Sequence, residues 1–429
     1  MKRWISIYLI SLICLIVLIL YGSILRHHYL GGEKFKSVQK IATFLASIPS
    51  NIKYIFNYDT ITGDIIIPVV DEKFVNEKIF EKKIENYNSN QIILVSRHDG
   101  NIGRSIVEIR DINNFEILHS YTPDINELYS SIDLTIKRNQ DLKKDRGLNR
   151  FYLQHPFINE KGDLIFMNDS PLFKINLNGE VIWTNEESIF HHSIEEGPDN
   201  KLYVCGRILP FSKKSAEYLL DGATEQFISG NQNFYDDAIF ILDMNGKIIF
   251  SKSIVDILID NSQHHRVFSQ SNYNVDAIHL NDIQPVLKDG PYFKKGDLFL
   301  SLRNLSIVIL YRPENNKILK IIEGGFFNQH DVDVIDEKTI SIFNNNVFFN
   351  YKNERKVRKT EIILYDFEND EFSKKFEKKI DKLKLFTGAG GVVDYLKDGS
   401  FVIDDGKSIF LFDSTGELVW EYNNLDKNK

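Results

Sequence analysis

The chain has 429 residues, 43% of them hydrophobic, with 10 prolines and a formal net charge of -8. That is a globular composition, long enough for one large or two ordinary domains. Its mild acidity argues against a nucleic-acid partner, because phosphate binding needs a basic footprint.

From Ile5 to Leu25 the chain is almost wholly apolar, with Lys2 and Arg3 before it and Arg26, His27 and His28 after. At about 1.5 Å per residue a helix of roughly twenty residues crosses the hydrocarbon layer. Tyr21-Gly-Ser-Ile-Leu25 lacks a small-x-small cleavage pattern. The expectation is therefore a single-pass anchor over residues 5–25 behind a short flank, 1–4. Arg26, Lys34, Lys36 and Lys40 weaken the positive-inside signal and leave the orientation open. Cys14 falls in this span, and neither it nor Cys205 has a CxxC partner, so no disulfide, metal or redox role is expected. Residues 26–86 read as a connector, in which Val38 to Ile48 has helical spacing.

From residue 87 to 429 the pattern changes to short strands separated by turns. One outline recurs: Leu172-Phe-Lys-Ile-Asn-Leu-Asn-Gly-Glu-Val-Ile-Trp183, Ala238-Ile-Phe-Ile-Leu-Asp-Met-Asn-Gly-Lys-Ile-Ile-Phe250 and Ile409-Phe-Leu-Phe-Asp-Ser-Thr-Gly-Glu-Leu-Val-Trp420. Asn-Gly or Thr-Gly supplies the positive φ that a tight hairpin needs. Six such units fall near 91–121, 155–185, 192–253, 279–322, 330–377 and 391–422. Radial packing of six sheets buries their faces, so the predicted fold is all-β, a six-bladed β-propeller preceded by one N-terminal transmembrane helix. An insertion at 209–235 is expected to form a rim loop, with a helix starting at Lys213. The Lys-rich stretch 352–384 interleaves acids and reads as a solvated face.

Histidines open four of the units, at His155, His192, His279 and His330; the fifth copy carries Gly391 in the same slot. The inner strands are expected to start at Lys201, Asp297 and Thr339, which sets the histidines at the channel mouth. Arg303 follows the strand Asp297-Leu-Phe-Leu-Ser-Leu302. His192, His279, His330 and Arg303 are thus expected to converge, the planar guanidinium serving as an anion clamp. Three histidines also suit a metal, though an adjacent permanent cation opposes it. His27-His28 and His264-His265-Arg266 match no repeated slot and read as surface residues. His98 and His119 receive no role. Gly388-Ala-Gly-Gly precedes a strand rather than a helix and is no phosphate loop.

The runs Phe190-His-His-Ser-Ile-Glu-Glu-Gly-Pro198, Asp276-Ala-Ile-His-Leu-Asn-Asp-Ile283, Asp297-Leu-Phe-Leu-Ser-Leu-Arg-Asn304 and Asn328-Gln-His-Asp-Val-Asp-Val334 resemble the arylsulfotransferase family over about residues 90 to 422. The resemblance implies a six-bladed propeller that moves a sulfuryl group from an aryl sulfate donor to a phenolic acceptor with no cofactor. By motif order it implies His330 as the transiently sulfated nucleophile, Arg303 as the sulfuryl clamp, His192 and His279 as flanking histidines and Asn281 as a polar substrate contact. It also implies a body on the extracytoplasmic side of the membrane. The chain differs from the periplasmic members in its apolar N-terminal stretch, its lack of a disulfide pair and the little room left for a separate amino-terminal β-domain. Two other readings stay open: a membrane-tethered propeller that only binds a glycan or protein, and a three-histidine metal-dependent enzyme.

Overall fold

The computed structural model describes residues 2–29, 37–38, 41–42, 44–46, 48, 79–99, 102, 104–130, 132–133, 153–168, 170–209, 211–219, 234–269, 274–352, 354–374 and 376–424. It divides into two units, Met1–Pro68 and Val69–Lys429. In the first, an α-helix runs over Lys2–Tyr29, and its stretch Tyr8–Arg26 has a mean hydropathy of 2.6 with none of it buried. By length and composition this helix fits a membrane anchor or a signal sequence alike. The Tyr21 hydroxyl donates to the Ala42 carbonyl at 3.0 Å. Residues 37–38, 41–42, 44–46 and 48 are helical, as their spacing suggests.

The second unit is a ring of six antiparallel sheets. Blade 1 comprises Ile92–Asp99, Arg104–Asp111 and Ile117–Tyr121; blade 2, Gln154–Ile158, Leu164–Met167, Leu172–Ile175 and Val181–Asn185. Blade 3 holds Ile189–Gly197, Lys201–Arg207, Asp237–Leu242 and Ile248–Ser253. Blade 4 holds Leu280–Pro285, Leu298–Leu302, Ile307–Arg312 and Lys317–Glu323. Blade 5 is built from Val332–Val334, Thr339–Asn344, Glu361–Asp366 and Glu371–Ser373, with an extra hairpin, Val347–Phe349 and Arg355–Val357, inserted between its second and third strands. Blade 6 is built from Val392–Tyr395, Phe401–Asp404, Ser408–Phe412 and Leu418–Asn423.

Each sheet covers its faces with its neighbours. Among the described residues six apolar clusters each join two adjacent blades, so the ring closes. Phe190, Leu202 and Val204 of blade 3 meet Ile165, Met167 and Leu172 of blade 2 in one of them. The closing cluster joins Val402, Leu411 and Trp420 of blade 6 to Val95, Ile112 and Phe115 at blade 1, and the Trp420 indole donates to the Ile112 carbonyl at 2.7 Å. Strand Phe80–Lys82, within the stretch expected to be a connector, adds to the outer edge of blade 6 by pairing with Leu418–Asn423. It covers an edge that would otherwise be open.

One expectation is corrected. Lys201, Asp297 and Thr339 do not begin inner strands; Lys201–Arg207, Leu298–Leu302 and Thr339–Asn344 are the second strands of their sheets. The first strand of each blade is innermost, and successive first strands are neighbours from blade 1 to blade 6. The second strands are almost wholly buried and apolar, for instance all of Leu298–Leu302. The true inner strands line an axis and are polar and interrupted, so their pattern reads as a turn.

Side chains on the inner strands staple one blade to the next. Ser193 Oγ accepts from the Ile283 N–H at 3.2 Å, Asp282 from Val332 at 3.1 Å, and Asp331 from Val393 at 2.9 Å. Each satisfies an edge N–H that has no ladder partner. Three residues after the repeated slot stand Glu195, Asp282, Asp333 and Asp394, one per blade in four consecutive blades. Burial, reinforced by their mutual repulsion, pushes Glu195 and Asp333 well above the ordinary carboxylate range, and burial raises Asp394. Burial likewise pushes Asp282 up to about 7, against the hydrogen bonds from Ser193 and Val332.

The native value for Asp282 lies above the unfolded one, so its ionisation costs stability as pH rises through about 7. Asp282→Asn keeps an acceptor for the Val332 N–H and removes the charge. Thermal melts should show its midpoint a few degrees above the parent at about pH 8, with most of the gain gone by about pH 5. An equal gain at both pH values would contradict a charge effect.

Candidate functional site

The repeated histidine slot has its own backbone geometry. His155, His192 and His279 adopt left-handed φ values of 36°, 60° and 54°, and Gly391 in the fifth copy has φ 92°. In blade 5 the left-handed residue is Asn328, two before His330, at φ 50°. Strand pairing slips at the same places: between Gln154 and Phe157, opposite the Phe190–Ile194 stretch, and between Leu280 and Asp282. A left-handed residue costs a non-glycine side chain energy, and bulges re-aim side chains. Here they turn successive imidazoles toward the axis.

Those imidazoles line one cavity of about 1300 Å³. Among the described residues it is lined by Ser96, Leu153, His155, His192, Asn274, His279, Arg303, Asn304, Asn328, His330, Phe349, Arg355, Ala389 and Gly390, with no carboxylate among them. Ring centroids lie 5.7 Å apart for His192 and His330, 4.9 Å for His192 and His279, and 6.3 Å for His155 and His330, the last pair nearly parallel. His192, His279, His330 and Arg303, expected to meet, line the same space. Asn281 does not reach the lining: it is buried, its amide donates to the Gln329 carbonyl at 2.9 Å, and its Oδ1 has no partner among the described residues.

Burial, neighbouring charges and hydrogen-bond partners set the environment of these rings. Burial, with the charges of His155, His279 and Arg303 adding to it, holds His330 well below the usual histidine range. Its Nδ1 is buried with no hydrogen-bond partner among the described residues. His155 falls to about 4 by burial alone. His192 is lowered by burial and by its histidine neighbours, and two close contacts back it: His191 Nδ1 lies 2.8 Å from His192 Nδ1, and His191 Nε2 lies 3.4 Å from Asp237 Oδ1. With the His191 proton on the Asp237 side, His192 donates through Nδ1 and keeps a lone pair on Nε2. His279 differs. Its Nδ1 lies 2.6 Å from Asp276 Oδ2, which favours the Nδ1–H form and leaves Nε2 for the cavity.

Arg303 is placed by hairpin register. Leu280 pairs with Leu302, the Arg303 N–H donates to the His279 carbonyl at 3.0 Å, and a 3-10 turn opens at Arg303. Its Nη1 donates to Asn304 Oδ1 at 2.9 Å, and among the described residues no carboxylate pairs with it. Burial and the nearby Arg355 charge both lower its pKa, so the guanidinium stands ready for an anion. Among the described residues no group of three or more His, Cys, Asp or Glu side chains is placed to hold a metal ion.

The arylsulfotransferase (ASST) family profile matches residues 156–425. The chain belongs to the arylsulfotransferase family. No curated protein matches it. Among solved structures it is similar to a protein of unknown function from Bacteroides caccae (14% identity, TM-score 0.47, covering 77% of this chain and 93% of that one). It is also similar to the Neurospora crassa Pan2 WD40 domain (9%, TM-score 0.40, 79% and 87%) and to virginiamycin B lyase from Staphylococcus aureus (12%, TM-score 0.34, 62% and 69%). Likenesses this distant carry no functional information.

Two lining groups escaped the residue list drawn from sequence. His155 opens the first repeated segment and needed only to be counted with the other three. Arg355 gave no signal: it lies in the stretch read as a solvated face, on a hairpin that no other blade repeats. The insertion helix is seen at Lys213–Tyr218, with Ser212 capping it by accepting from the Ser215 N–H; residues 220–233 lie outside the described ones. His265 is exposed on a short helix and Arg266 pairs with Glu323 at 2.6 Å, a surface setting as expected.

Gly391 tests the slot geometry. A Cβ there would come 2.3 Å from the Phe343 ring, at a φ that L-residues rarely adopt. Gly391→Ala should cost about 1–3 kcal/mol of stability or more, read as a lowered denaturation midpoint.

Proposed function

We propose that this cavity transfers a sulfuryl group from an aryl sulfate to a phenol through a sulfated His330. The observation that carries the reading is the convergence of four imidazoles and Arg303 on one cavity, with no carboxylate among its described lining residues, in a chain of this family. An unprotonated His330 is a competent nucleophile near neutral pH. Its ring nitrogen forms the N–S bond as the aryl S–O bond breaks, and the electron pair leaves on the phenolate oxygen. Arg303 takes the sulfuryl oxygens in its fork, where charge shifts during transfer.

His279 is suited to the proton traffic. In this reading His279 enters the cycle with Nε2 protonated as well, its Nδ1–H held by Asp276; Nε2–H gives its proton to the departing phenolate, and the freed Nε2 then takes one from the incoming phenol. The acceptor oxygen then attacks sulfur, the N–S bond breaks, and His330 returns to its starting state. His192, with its lone pair held toward the cavity by His191 and Asp237, and Asn281 behind it keep the nucleophile in place. No cofactor enters the reaction. The N-terminal helix serves in this reading as a membrane anchor, with the propeller over 87–429 on the extracytoplasmic side.

Incubation with 4-nitrophenyl sulfate should release 4-nitrophenol in a burst and add one sulfuryl group to the peptide containing His330, detected by mass spectrometry. His330→Ala should abolish both; normal transfer in that variant would sink the assignment. Because His330 is held low, the burst rate should show no acid limb between about pH 6.5 and 8. Arg303→Met removes a charge that lowers the His330 pKa, so the acid limb should move upward while the rate falls.

A further inference from the structure

The hairpin inserted in blade 5 reaches the cavity with two side chains. Phe349 and Arg355 are direct cross-strand partners, so both project from one face of the ribbon, and both line the cavity. The opposite face carries Phe348 and Lys356, with the Arg358 guanidinium stacked 4.7 Å from the Phe348 ring. The base of the ribbon is tied down: Asn345 donates to the Thr387 and Gly390 carbonyls at 2.9 and 2.8 Å, and Asn328 to the Val347 carbonyl at 2.9 Å. Arg355 donates through Nη2 to the Gly388 carbonyl. Its guanidinium keeps further N–H donors.

The cavity therefore holds a second permanent cation besides the one beside the histidines. Two guanidiniums, with no carboxylate among the described lining residues, leave an excess of positive charge that one sulfuryl group does not match. Phe349 is 58% exposed, so the face of its ring is open to a ligand in the cavity. A ring that stacks on Phe349 would carry a substituent within the reach of Arg355, since cross-strand partners lie about 5 Å apart at Cβ.

We propose that Phe349 and Arg355 form an acceptor subsite that selects phenols bearing a second, anionic group, a ring carboxylate held bidentately by the Arg355 fork. The choice of a phenol rests on the sulfuryl-transfer reading of the same cavity; the choice of an acidic one rests on the hairpin alone. Phe349 supplies the stacking face and Arg355 the charge. Neither touches the sulfur in this arrangement, so both act on specificity through KM rather than kcat.

The test is calorimetric binding of 4-hydroxybenzoate and of its uncharged methyl ester to the detergent-solubilised full chain, with sulfuryl transfer to each measured on the same preparations. The parent should bind the acid about tenfold or more tighter than the ester. Arg355→Ala should erase that preference and leave ester binding unchanged, and Arg355→Lys should restore part of it, since a point charge lacks the fork. Phe349→Ala should weaken both ligands alike. No preference in the parent, or a preference that survives Arg355→Ala, overturns the subsite. Binding with the expected preference but no transfer leaves the subsite standing and overturns the transfer reading instead.

Discussion

A propeller blade cannot bury both faces alone, and that constraint organises the rest of this molecule. Six apolar clusters, each shared by two neighbouring sheets, close the ring and remove every face from water. Closure still leaves the edges of each sheet without ladder partners, and those of the first strands face the axis. Their unpaired N–H groups must find acceptors, and Ser193, Asp282 and Asp331 supply them across blade boundaries. The axis is polar because the ring is closed. Residues from distant parts of the sequence are brought together there at no cost beyond the fold itself.

The same constraint explains why histidines collect at one end. A bulge with a left-handed residue breaks the inner ladder at its start, and the side chain at the break turns inward. Three residues on, the repeated slot carries carboxylates in four blades, deeper along the same strands. Imidazoles and carboxylates thus occupy different levels of one axis. Separation keeps the carboxylates from pairing with the histidines that line the cavity, apart from Asp276 beside His279 and Asp237 behind His191. Those two exceptions are the acids that fix imidazole tautomers.

Blade number, hairpin turns and the inward histidines were legible because each is a repeated local signal: Asn-Gly turns with positive φ, buried hairpin strands and one residue type in matched slots. The inner strands were not legible. A strand that lines a polar axis, carries His or Asp every second or third residue and breaks at a bulge has no apolar alternation to read, and the strong strand signal falls on the buried second strands instead. Phe80–Lys82 escaped for a related reason: three residues, Phe-Glu-Lys, become a strand only because the outer edge of blade 6, more than three hundred residues later, offers partners. Arg355 escaped because its role depends on an insertion unique to one blade, and repetition was the only guide to position.

Repetition and insertion divide the labour of the site accordingly. The parts that recur from blade to blade, the bulged histidine slots and the hairpin that sets Arg303 beside His279, build the histidine-lined side of the cavity. The Val347–Val357 hairpin, which recurs in none of the other blades as described, brings an aromatic ring and a second guanidinium to that cavity. A ring of equal blades has no means of distinguishing one ligand from another except by breaking its own symmetry. The asymmetric hairpin is therefore where selectivity can be tuned, because substituting its exposed tip disturbs neither the six interfaces nor the histidine rings.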